Sequence, residues 1–329
     1  MKKALILGVN GQDGQLLKGF LLGKNYLVIG VSRSTQKTDE LANPNYSHEI
    51  VDTTNATILR TLLATALPDE IYNLAAQSHV GRSFKDPLGT MEVNAFTVMY
   101  ILEELRLNDN LKKTRFFQAS SGEIYGSTKG VIRREESDKR PNNIYGISKL
   151  LAHSFLVNYR ESYNMFVVNG ILFNHESELR PETFVTGKIL HSVKRIAQGR
   201  QDKLVLGNIE ARKDWGDAKE YVECMWLSLQ QARALDYIIA TGKTHSVKDL
   251  VTEAFKLIDI DIVWEGEGIS EKGVDLRSGN VMVEVSEMFF RPLETLAIPA
   301  STSFTKETLK WEATSGIDQL VEKIFKRLK

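Results

Sequence analysis

The sequence is poor in cysteine, has no net charge and contains no long apolar run. Its 329 residues include one cysteine, Cys224, which excludes an internal disulfide and a metal site built from several thiolates. The 42 Lys and Arg residues equal the 42 Asp and Glu residues, so no overall charge attracts nucleic acid or an anionic membrane. Apolar runs fall far short of the roughly 20 residues that a membrane helix needs. We therefore expect a cytoplasmic protein that binds no metal, nucleic acid or membrane.

The first half of the chain carries a repeated pattern within an ordinary globular composition. Short apolar runs at residues 4–8 and 27–31 flank a segment whose apolar residues recur at helical spacing. Further strand candidates, such as residues 49–51 and 115–119, alternate with helical segments, among them residues 91–107 and 148–163. This alternation predicts a doubly wound α/β fold, in which a mostly parallel sheet is covered by helices on both faces.

The pattern changes after residue 172, where short elements, loops and polar segments dominate. We predict a Rossmann domain over residues 1–172 and a smaller domain over residues 173–329. Residues 237–250 contain one more strand candidate and are expected to return to the first sheet.

A glycine-rich turn separates the first strand from the first helix. Gly8, Gly11 and Gly14 have the spacing G-x-x-G-x-x-G, which differs from the commoner G-x-G-x-x-G of dinucleotide-binding turns. Glycine permits a tight turn and lets a pyrophosphate approach the backbone, and the positive end of the following helix stabilises the negative charge. The place of the turn predicts a dinucleotide site, and a purely structural turn is the alternative.

The end of the second strand distinguishes the two nicotinamide cofactors. An NAD enzyme usually has an acidic residue there to bind the ribose 2′-hydroxyl, whereas an NADP enzyme has a basic one. The chain has Arg33 and no acid at that point, which favours NADP over NAD; a solvated surface arginine is the alternative. Asp52, after the third strand, is placed to accept a hydrogen bond from the adenine amine, or else it shapes a turn or caps a helix.

Tyr145 and Lys149 form the motif Y-x-x-x-K. Four residues apart on a helix, their side chains share a face, and the ammonium group favours the phenolate form of the tyrosine. Such a phenolate can exchange a proton with a sugar hydroxyl while hydride moves to or from nicotinamide. Together with the glycine turn, this pair indicates a short-chain dehydrogenase/reductase.

Ser121 and Glu123 follow the predicted strand at residues 115–119, at the kind of strand end where reacting groups gather in doubly wound sheets. Ser121 is placed to hydrogen-bond the hydroxyl that Tyr145 deprotonates. A simple dehydrogenase needs no carboxylate here, whereas removal of a proton beside a new ketone needs a base. Glu123 is therefore predicted to be an elimination base; a loop salt bridge or a helix-start acid is the alternative.

These motifs lie within a resemblance that runs from residue 4 to about residue 294. In the order and spacing of its motifs the sequence resembles the GDP-mannose 4,6-dehydratase family of extended short-chain dehydrogenases/reductases. The matching segments are residues 8–14, 73–80, 121–126, 145–149, 169–177, 182–186, 206–208, 214–216, 240–246 and 291–292. The resemblance implies that the Rossmann domain binds NADP and that the C-terminal domain binds mainly the nucleotide sugar.

The resemblance also implies the chemistry of a hydro-lyase. Tyr145, tuned by Lys149 and assisted by Ser121, would deprotonate the C4 hydroxyl as NADP⁺ takes the C4 hydride. Glu123 would then remove the C5 proton, water would leave from C6 and hydride would return to C6, so that GDP-mannose becomes GDP-4-keto-6-deoxymannose. The alternative is a nucleotide-sugar 4-reductase, C4 dehydrogenase or epimerase acting on a GDP-hexose or GDP-heptose, in which Glu123 has no chemical task.

Binding residues carry over by resemblance as well. The cofactor set comprises Gly8, Asn10, Gly11, Gln12, Asp13, Gly14, Arg33, Asp52, Leu74, Ala75, Tyr145 and Lys149. The substrate set comprises Ser83, Glu123, Asn174, Arg180, Lys188, Lys213, Arg291 and Glu294. Basic side chains suit the diphosphate because arginine can hold its oxygens through two parallel hydrogen bonds; ordinary surface charge is the alternative for each.

The chain departs from the family around the expected sugar and phosphate pocket. Where the family usually has a second arginine beside Arg180, a further basic residue and a histidine, this chain has Leu179, Gly187 and Asp217. The prolines and arginine that normally precede the tyrosine are replaced by Asn142, Asn143 and Ile144. These changes leave the reaction type in place but leave the sugar and the nucleotide open.

The oligomeric state is open between two forms. A double-arginine segment helps the family to form tetramers, and in this chain it is reduced to Arg33 and Ser34. Apolar helices at residues 91–107 and 150–159 either pair two subunits in a four-helix contact or are covered within one chain. We expect a homodimer or a homotetramer.

Overall fold

The computed structural model describes residues 1–35, 43–126, 137–289 and 299–328. Within these ranges the strands are, in chain order, β1 (Lys3–Leu7), β2 (Leu27–Ser32), β3 (Tyr46–Ile50), β4 (Glu70–Asn73), β5 (Arg115–Ser121), β6 (Val167–Leu172), β7 (Asn174–Glu176), β8 (Leu204–Leu206), β9 (Arg212–Lys213), β10 (Trp215–Asp217), β11 (Tyr237–Ile239), β12 (His245–Ser246), β13 (Ile262–Glu265), β14 (Lys272–Asp275) and β15 (Val281–Val285).

The helices of the same ranges are α1 (Gln12–Gly23), α2 (Ala56–Ala66), α3 (Val80–Ser83), α4 (Pro87–Met91), α5 (Thr97–Leu107), α6 (Ile144–Tyr163), α7 (Val185–Ala197), α8 (Ala218–Leu229), α9 (Val247–Lys256), α10 (Ser303–Leu309) and α11 (Ile317–Arg327). A π-helical segment, Glu92–Phe96, joins α4 to α5, and a short 3₁₀ turn, Gly122–Ile124, follows β5. Among the described residues, no helix combines the length and the apolar character needed to cross a bilayer.

The chain folds into two compact units. The first comprises Met1–Phe173, Ala218–Ile239 and Ala300–Glu312, and the second comprises Asn174–Asp217, Ala240–Pro299 and Ala313–Lys329. Of the segment predicted to return to the first sheet, residues 237–250, strand β11 lies in the first unit and the remainder lies in the second. The assignment of cofactor to one unit and of substrate to the other stays a prediction.

The first unit is built on a seven-stranded sheet, which in its described part has the order β11-β6-β5-β4-β1-β2-β3. Each neighbouring pair in this sheet is parallel, which confirms the predicted doubly wound α/β fold. The strand order reverses direction between β1 and β4. The connections that leave the carboxyl ends of the two strands at such a reversal run in opposite directions and leave a crevice in which ligands bind.

Helices α2, α5 and α6 and strands β1, β5 and β6 contribute to one buried apolar cluster of the first unit. Leu59 and Leu63 of α2 belong to it, together with Ile101 of α5 and Leu156 of α6, all of which are fully buried. Within each of the three helices, the members of the cluster recur at intervals of three to four residues and therefore form a single apolar face. Burial of those faces holds α6, which carries the Tyr–Lys motif, in place in this unit.

Several elements differ from their predicted bounds. β3 begins at Tyr46, three residues before the predicted run at 49–51, because Tyr46 already pairs with Val28 of β2. α6 begins at Ile144 instead of residue 148, since the Asn143 side chain caps it. The helix predicted over 91–107 is interrupted by the π-helical segment Glu92–Phe96. Such segments are frequent at functional sites.

The second unit has smaller sheets and its own apolar core. β7 and β10 pair in parallel, β9 and β12 pair antiparallel, and four strands form a sheet of order β13-β14-β15-β8. Buried residues of α7, α9 and α11, such as Leu190, Phe255 and Val321, form one cluster that also includes Trp215. The short strands agree with the change of pattern after residue 172.

Candidate active site

The glycine turn between β1 and α1 excludes a side chain at two of its positions. Gly8 has a φ of +87°, and a Cβ added to it would lie 2.8 Å from the backbone nitrogen of Ala75. A Cβ on Gly14 would lie 2.4 Å from the carbonyl oxygen of Gly8. Gly11 precedes α1, and no side chain caps that helix. No side chain thus competes with a pyrophosphate for the first amides of α1, so this part of the site fits a dinucleotide.

The turn is tied to the ends of its neighbouring strands. Leu74, just after β4, donates its backbone N–H to the carbonyl of Leu7 at 2.9 Å. Asn10 donates from Nδ2 to Ser32 Oγ at 3.0 Å, at the end of β2. The Oδ1 atom of Asn10 is buried and has no hydrogen-bond partner among the described residues. Gln12, on the first turn of α1, donates to the Asp13 carboxylate at 3.0 Å. The predicted cofactor residues thus meet at one end of the sheet.

Arg33 and Asp52 lie beyond the ends of β2 and β3. Arg33 is exposed. Asp52 accepts hydrogen bonds from the backbone nitrogen and the hydroxyl of Thr54, at 3.1 and 2.8 Å. These bonds, together with the charge of Arg33, hold the pKa of Asp52 below its ordinary value. Asp52 therefore shapes a turn, which is one of the alternatives to its predicted role at adenine. Its contact with adenine stays a prediction.

Helix α6 presents the Tyr–Lys pair near the carboxyl end of β5. Both residues are buried, and Lys149 Nζ lies 5.8 Å from the centre of the Tyr145 ring. Lys149 Nζ donates to the carbonyl oxygen of Ala119 at 2.8 Å. Burial lowers the pKa of Lys149 from 10.5 to about 8, although the carboxylate of Asp13 opposes this shift. A lysine with a lowered pKa, still protonated at neutral pH, therefore lies beside the phenol.

Ser121 and Glu123 lie where β5 ends and the 3₁₀ turn begins. Ser121 Oγ accepts a hydrogen bond from the backbone nitrogen of Glu123 at 3.2 Å. The start of α6 packs directly on the 3₁₀ turn, since a Cβ on Gly146 would lie 2.7 Å from the carbonyl oxygen of Glu123. A hydroxyl, a carboxylate and the Tyr145–Lys149 pair are therefore carried by two elements in contact.

Sequence reasoning missed the role of Asn143, which it identified only as a departure from the family. Asn143 is buried and is the N-cap of α6, where its Oδ1 accepts from the backbone nitrogen of Gly146 at 2.8 Å. Its Nδ2 donates to Glu123 Oε2 at 3.1 Å. Asparagine before a helical run is a known N-cap signal, but nothing in the sequence indicated the contact with Glu123, twenty residues away.

Asn94 was missed entirely. It lies fully buried in the π-helical segment and donates to Ser148 Oγ at 3.0 Å, while Ser148 donates to the carbonyl of Tyr145 at 2.7 Å. Its Oδ1 accepts from the backbone nitrogen of Gln77 at 2.9 Å. Asn94 therefore joins the segment after β4 to α6. A polar residue inside an apolar helical run was the available signal.

The predicted substrate residues belong to both units, and two of them lie outside the described ranges. In the first unit, Ser83 is fully buried on α3 and donates its hydroxyl to the carbonyl of Val80 at 2.7 Å. In the second unit, Asn174 is exposed on β7 and Lys213 lies on β9. Arg291 and Glu294 lie outside the described residues. The shared role of the eight residues stays a prediction.

Two basic residues of the second unit have defined surroundings. Arg180 donates from Nε to Glu176 Oε2 at 2.6 Å and also bonds the carbonyl of His175. Lys188 Nζ lies 3.5 Å from the centre of the Phe289 ring, and burial lowers its pKa. Arg180 is thus already paired with a carboxylate, whereas the Lys188 ammonium lies over an aromatic face.

The departures from the family have structural counterparts in the second unit. A Cβ on Gly187 would lie 2.3 Å from the carbonyl oxygen of Pro181, so the start of α7 packs on a loop that leaves no space for a basic side chain. Asp217 pairs with Lys323 at 3.3 Å. Within the described ranges, no three His, Cys, Asp or Glu side chains gather in an arrangement that could hold a metal.

Comparison with known proteins adds the family context. A family model described as GDP-mannose 4,6 dehydratase matches residues 5–324. A relative from Sinorhizobium fredii (strain HH103), named GDP-mannose 4,6-dehydratase, is 41% identical over 330 residues, which are 97% of this chain and 94% of the relative.

Two solved structures share the fold. The crystal structure of dTDP-glucose 4,6-dehydratase from Bacillus anthracis in complex with NAD has a TM-score of 0.81 at 17% identity, over 99% of this chain and 96% of that one. The structure of RMD from Pseudomonas aeruginosa complexed with NADPH has a TM-score of 0.78 at 20% identity, over 99% and 98%. At these identities, the two structures support the fold alone.

Proposed function

The chain belongs to the GDP-mannose 4,6-dehydratase family, and from this membership we propose that it is a hydro-lyase that converts GDP-mannose to GDP-4-keto-6-deoxymannose. The observation that carries the proposal is the place of Glu123. Its carboxylate follows β5 on a turn in contact with the helix that carries Tyr145 and Lys149. A C4 dehydrogenase, reductase or epimerase has no use for a base there, whereas elimination does.

We propose NADP as the cofactor, held by the glycine turn and by Arg33. A bound nicotinamide dinucleotide supplies the acceptor for the C4 hydride and the donor of the hydride that returns to C6, so it is not consumed. Gly8 and Gly14 let the turn pack closely on the backbone after β4 and on the start of α1, whose positive end suits the pyrophosphate. Arg33 is exposed at the end of β2, where its guanidinium can bind a 2′-phosphate through two hydrogen bonds.

Tyr145 accepts the proton of the C4 hydroxyl at its phenol oxygen. The buried ammonium group of Lys149 favours the phenolate, and its bond to the carbonyl of Ala119 fixes its position. Ser121 orients the same sugar hydroxyl. Hydrogen bonds from Asn94 through Ser148 to the backbone of Tyr145 hold the first turns of α6 in register with the segment after β4.

Glu123 acts on the neighbouring carbon. A ketone at C4 acidifies the C5 proton, which the Glu123 carboxylate accepts. The same carboxyl group then donates that proton to the C6 hydroxyl, which leaves as water. Glu123 thus moves one proton from C5 to the oxygen that leaves C6. Once C6 has received its hydride, Tyr145 returns to C5 the proton that it took from the C4 hydroxyl, so the net reaction is the loss of one water molecule.

Substrate binding falls to Lys188, Arg180 and Lys213, with Asn174 and Ser83, in this proposal. The three basic residues supply positive charge for the GDP diphosphate. The loss of basic residues at Leu179 and Gly187 reduces that charge relative to the family. We also propose that the enzyme acts in the cytoplasm as a homodimer or homotetramer.

Mass spectrometry of the purified protein incubated with GDP-mannose and NADP⁺ tests the proposal. We expect the sugar nucleotide to lose one water with no net formation of NADPH. Glu123→Gln should lower turnover by roughly 100-fold or more, while reduced nicotinamide accumulates because C4 oxidation continues. Glu161→Gln, an exposed position at the far end of α6, is the matched control. Full turnover by Glu123→Gln would refute the elimination role, and unchanged GDP-mannose with the native protein would refute the substrate.

A further inference from the structure

Asn143 connects the two elements that carry the predicted catalytic groups. Only 5% of its surface is exposed. Its carboxamide oxygen caps α6 at the backbone nitrogen of Gly146, at 2.8 Å, and its amide nitrogen donates to Glu123 Oε2, at 3.1 Å. One short side chain therefore holds both the start of the helix that carries Tyr145 and one oxygen of the carboxylate.

The packing around Asn143 makes this connection short. A Cβ on Gly146 would lie 2.7 Å from the carbonyl oxygen of Glu123 and 3.0 Å from Cβ of Pro141. The 3₁₀ turn and the first turn of α6 are therefore in van der Waals contact, with glycine at the closest point. Because the 3₁₀ turn and α6 are closely packed here, neither can move far without the other. The distance that the bond from Asn143 to Glu123 spans is therefore constrained by this packing.

The chemistry of the two bonds selects asparagine among the residues that cap helices. Serine, threonine and aspartate also accept a hydrogen bond from a helix amide. Aspartate has no N–H to donate, and serine is one heavy atom shorter. Asn142 Oδ1 accepts a further bond from Asn143 Nδ2 at 3.0 Å, which fixes the direction of the amide. The two asparagines that replace the family pattern thus act together.

We propose that Asn143 is a positioning residue, which holds the Glu123 carboxylate in the orientation that removes the C5 proton. The proposal rests on the proposed role of Glu123 as the elimination base. A bond to a carboxylate in a partly buried site restricts its rotation and leaves the carboxylate beside the sugar carbon. Asn143 touches neither substrate nor cofactor in this account, so its effect is transmitted through Glu123.

Asn143→Ser and Asn143→Asp test the proposal because both retain a cap for α6. We expect the unfolding temperature to fall slightly in Asn143→Ser and further in Asn143→Asp, where two carboxylates meet in a buried site, so kcat is compared well below both transitions. We expect kcat to fall roughly 10-fold for Asn143→Ser, the size typical for a lost hydrogen bond to a charged group, with KM for GDP-mannose unchanged. The fall in kcat should be larger for Asn143→Asp, because a second carboxylate then faces Glu123.

A single-turnover measurement separates positioning of Glu123 from a merely structural role. If elimination alone is slowed, the near-ultraviolet absorbance of reduced nicotinamide should rise and persist in the Asn143 variants. In the double variant Glu123→Gln with Asn143→Ser, the second change should add no further loss, since both act at one step.

Asn108→Ser is the matched control. Asn108 also caps a turn, accepting from the backbone nitrogen of Asn110 at 3.1 Å, and donates to a glutamate, Glu104, at 3.0 Å. It lies before β5 begins, at the opposite end of that strand from Ser121. This variant should keep the native kcat.

Three results would overturn the proposal: a native kcat in Asn143→Ser, a slowed reaction without accumulation of reduced nicotinamide, or an equal loss in Asn108→Ser. Failure of the proposed function is distinguishable from these results. It would be seen in the native protein, as GDP-mannose that loses no water, or as Glu123→Gln with full turnover.

Discussion

Replacement of Lys149 by methionine should make the cofactor-free protein more stable while it removes most of the activity. Lys149 is 3% exposed, and burial lowers its pKa from 10.5 to about 8. One pKa unit corresponds to about 1.4 kcal/mol. The charged ammonium group therefore lowers the free energy of unfolding by about 3 kcal/mol. Methionine has a similar length and carries no charge.

The loss of one hydrogen bond offsets part of that gain. Lys149 Nζ donates to the carbonyl oxygen of Ala119 at 2.8 Å. That carbonyl also accepts from Gln118 Nε2 at 3.1 Å and keeps this partner in the variant, so the lost bond costs only about 1 kcal/mol. We therefore expect Lys149→Met to raise the free energy of unfolding by about 2 kcal/mol near neutral pH. Turnover should fall roughly 100-fold or more, because the phenolate of Tyr145 loses its neighbouring cation.

The sign of the pH dependence follows from the lowered pKa. Below about pH 8 the lysine is protonated in both the folded and the unfolded state, so the full penalty is present. Between about pH 8 and 10.5 the unfolded chain binds more protons than the folded protein, and the native protein gains stability as the pH rises. The advantage of Lys149→Met should therefore vanish near about pH 10.

Urea unfolding of the cofactor-free native protein and of Lys149→Met, at about pH 7 and about pH 10, measures both effects. Lys113→Met, an exposed lysine before β5, is the control and should change stability at neither pH. A variant that is less stable than the native protein near neutral pH, or a stability difference independent of pH, would refute the reasoning about burial.

Three further outcomes are expected. Arg33→Ala should weaken NADP binding roughly 10-fold or more and leave NAD binding unchanged; equal effects on both, by calorimetry, would contradict a 2′-phosphate contact. Gly14→Ala should destabilise by about 2 kcal/mol and abolish dinucleotide binding, since its Cβ would lie 2.4 Å from the Gly8 carbonyl oxygen. Asp214→Asn should cost about 2 kcal/mol, because both carboxylate oxygens accept from backbone N–H groups at Thr241 and Gly242. Burial raises the pKa of Asp214 to about 6, so a more stable variant in urea unfolding would mean that desolvation outweighs these hydrogen bonds.

The features that the sequence predicted correctly are local or periodic. Alternating apolar runs indicated a parallel α/β sheet, and the described part of that sheet is parallel throughout. Helical periodicity placed Tyr145 and Lys149 on one face, and both are buried on α6. The glycine turn was expected between strand and helix, and it lies there. Each of these predictions depends on residues within about one element of one another.

Element boundaries were less predictable, since they depend on partners outside the element. α6 starts earlier than its apolar pattern because the Asn143 side chain caps it. The π-helical segment leaves no mark on the hydrophobic pattern, although it allows Asn94 to reach Ser148, fifty-four residues further along the chain.

By itself, the sequence determined the class of fold, the dinucleotide turn, the Tyr–Lys pair and the presence of a carboxylate after the fifth strand. Only the tertiary structure decided what surrounds them. Contacts such as Asn143 with Glu123 and Lys149 with Ala119 join residues twenty to thirty positions apart. Periodicity and propensity describe neighbours along the chain, whereas the packing of β5 against α6 sets the desolvation and the hydrogen bonds that tune these side chains.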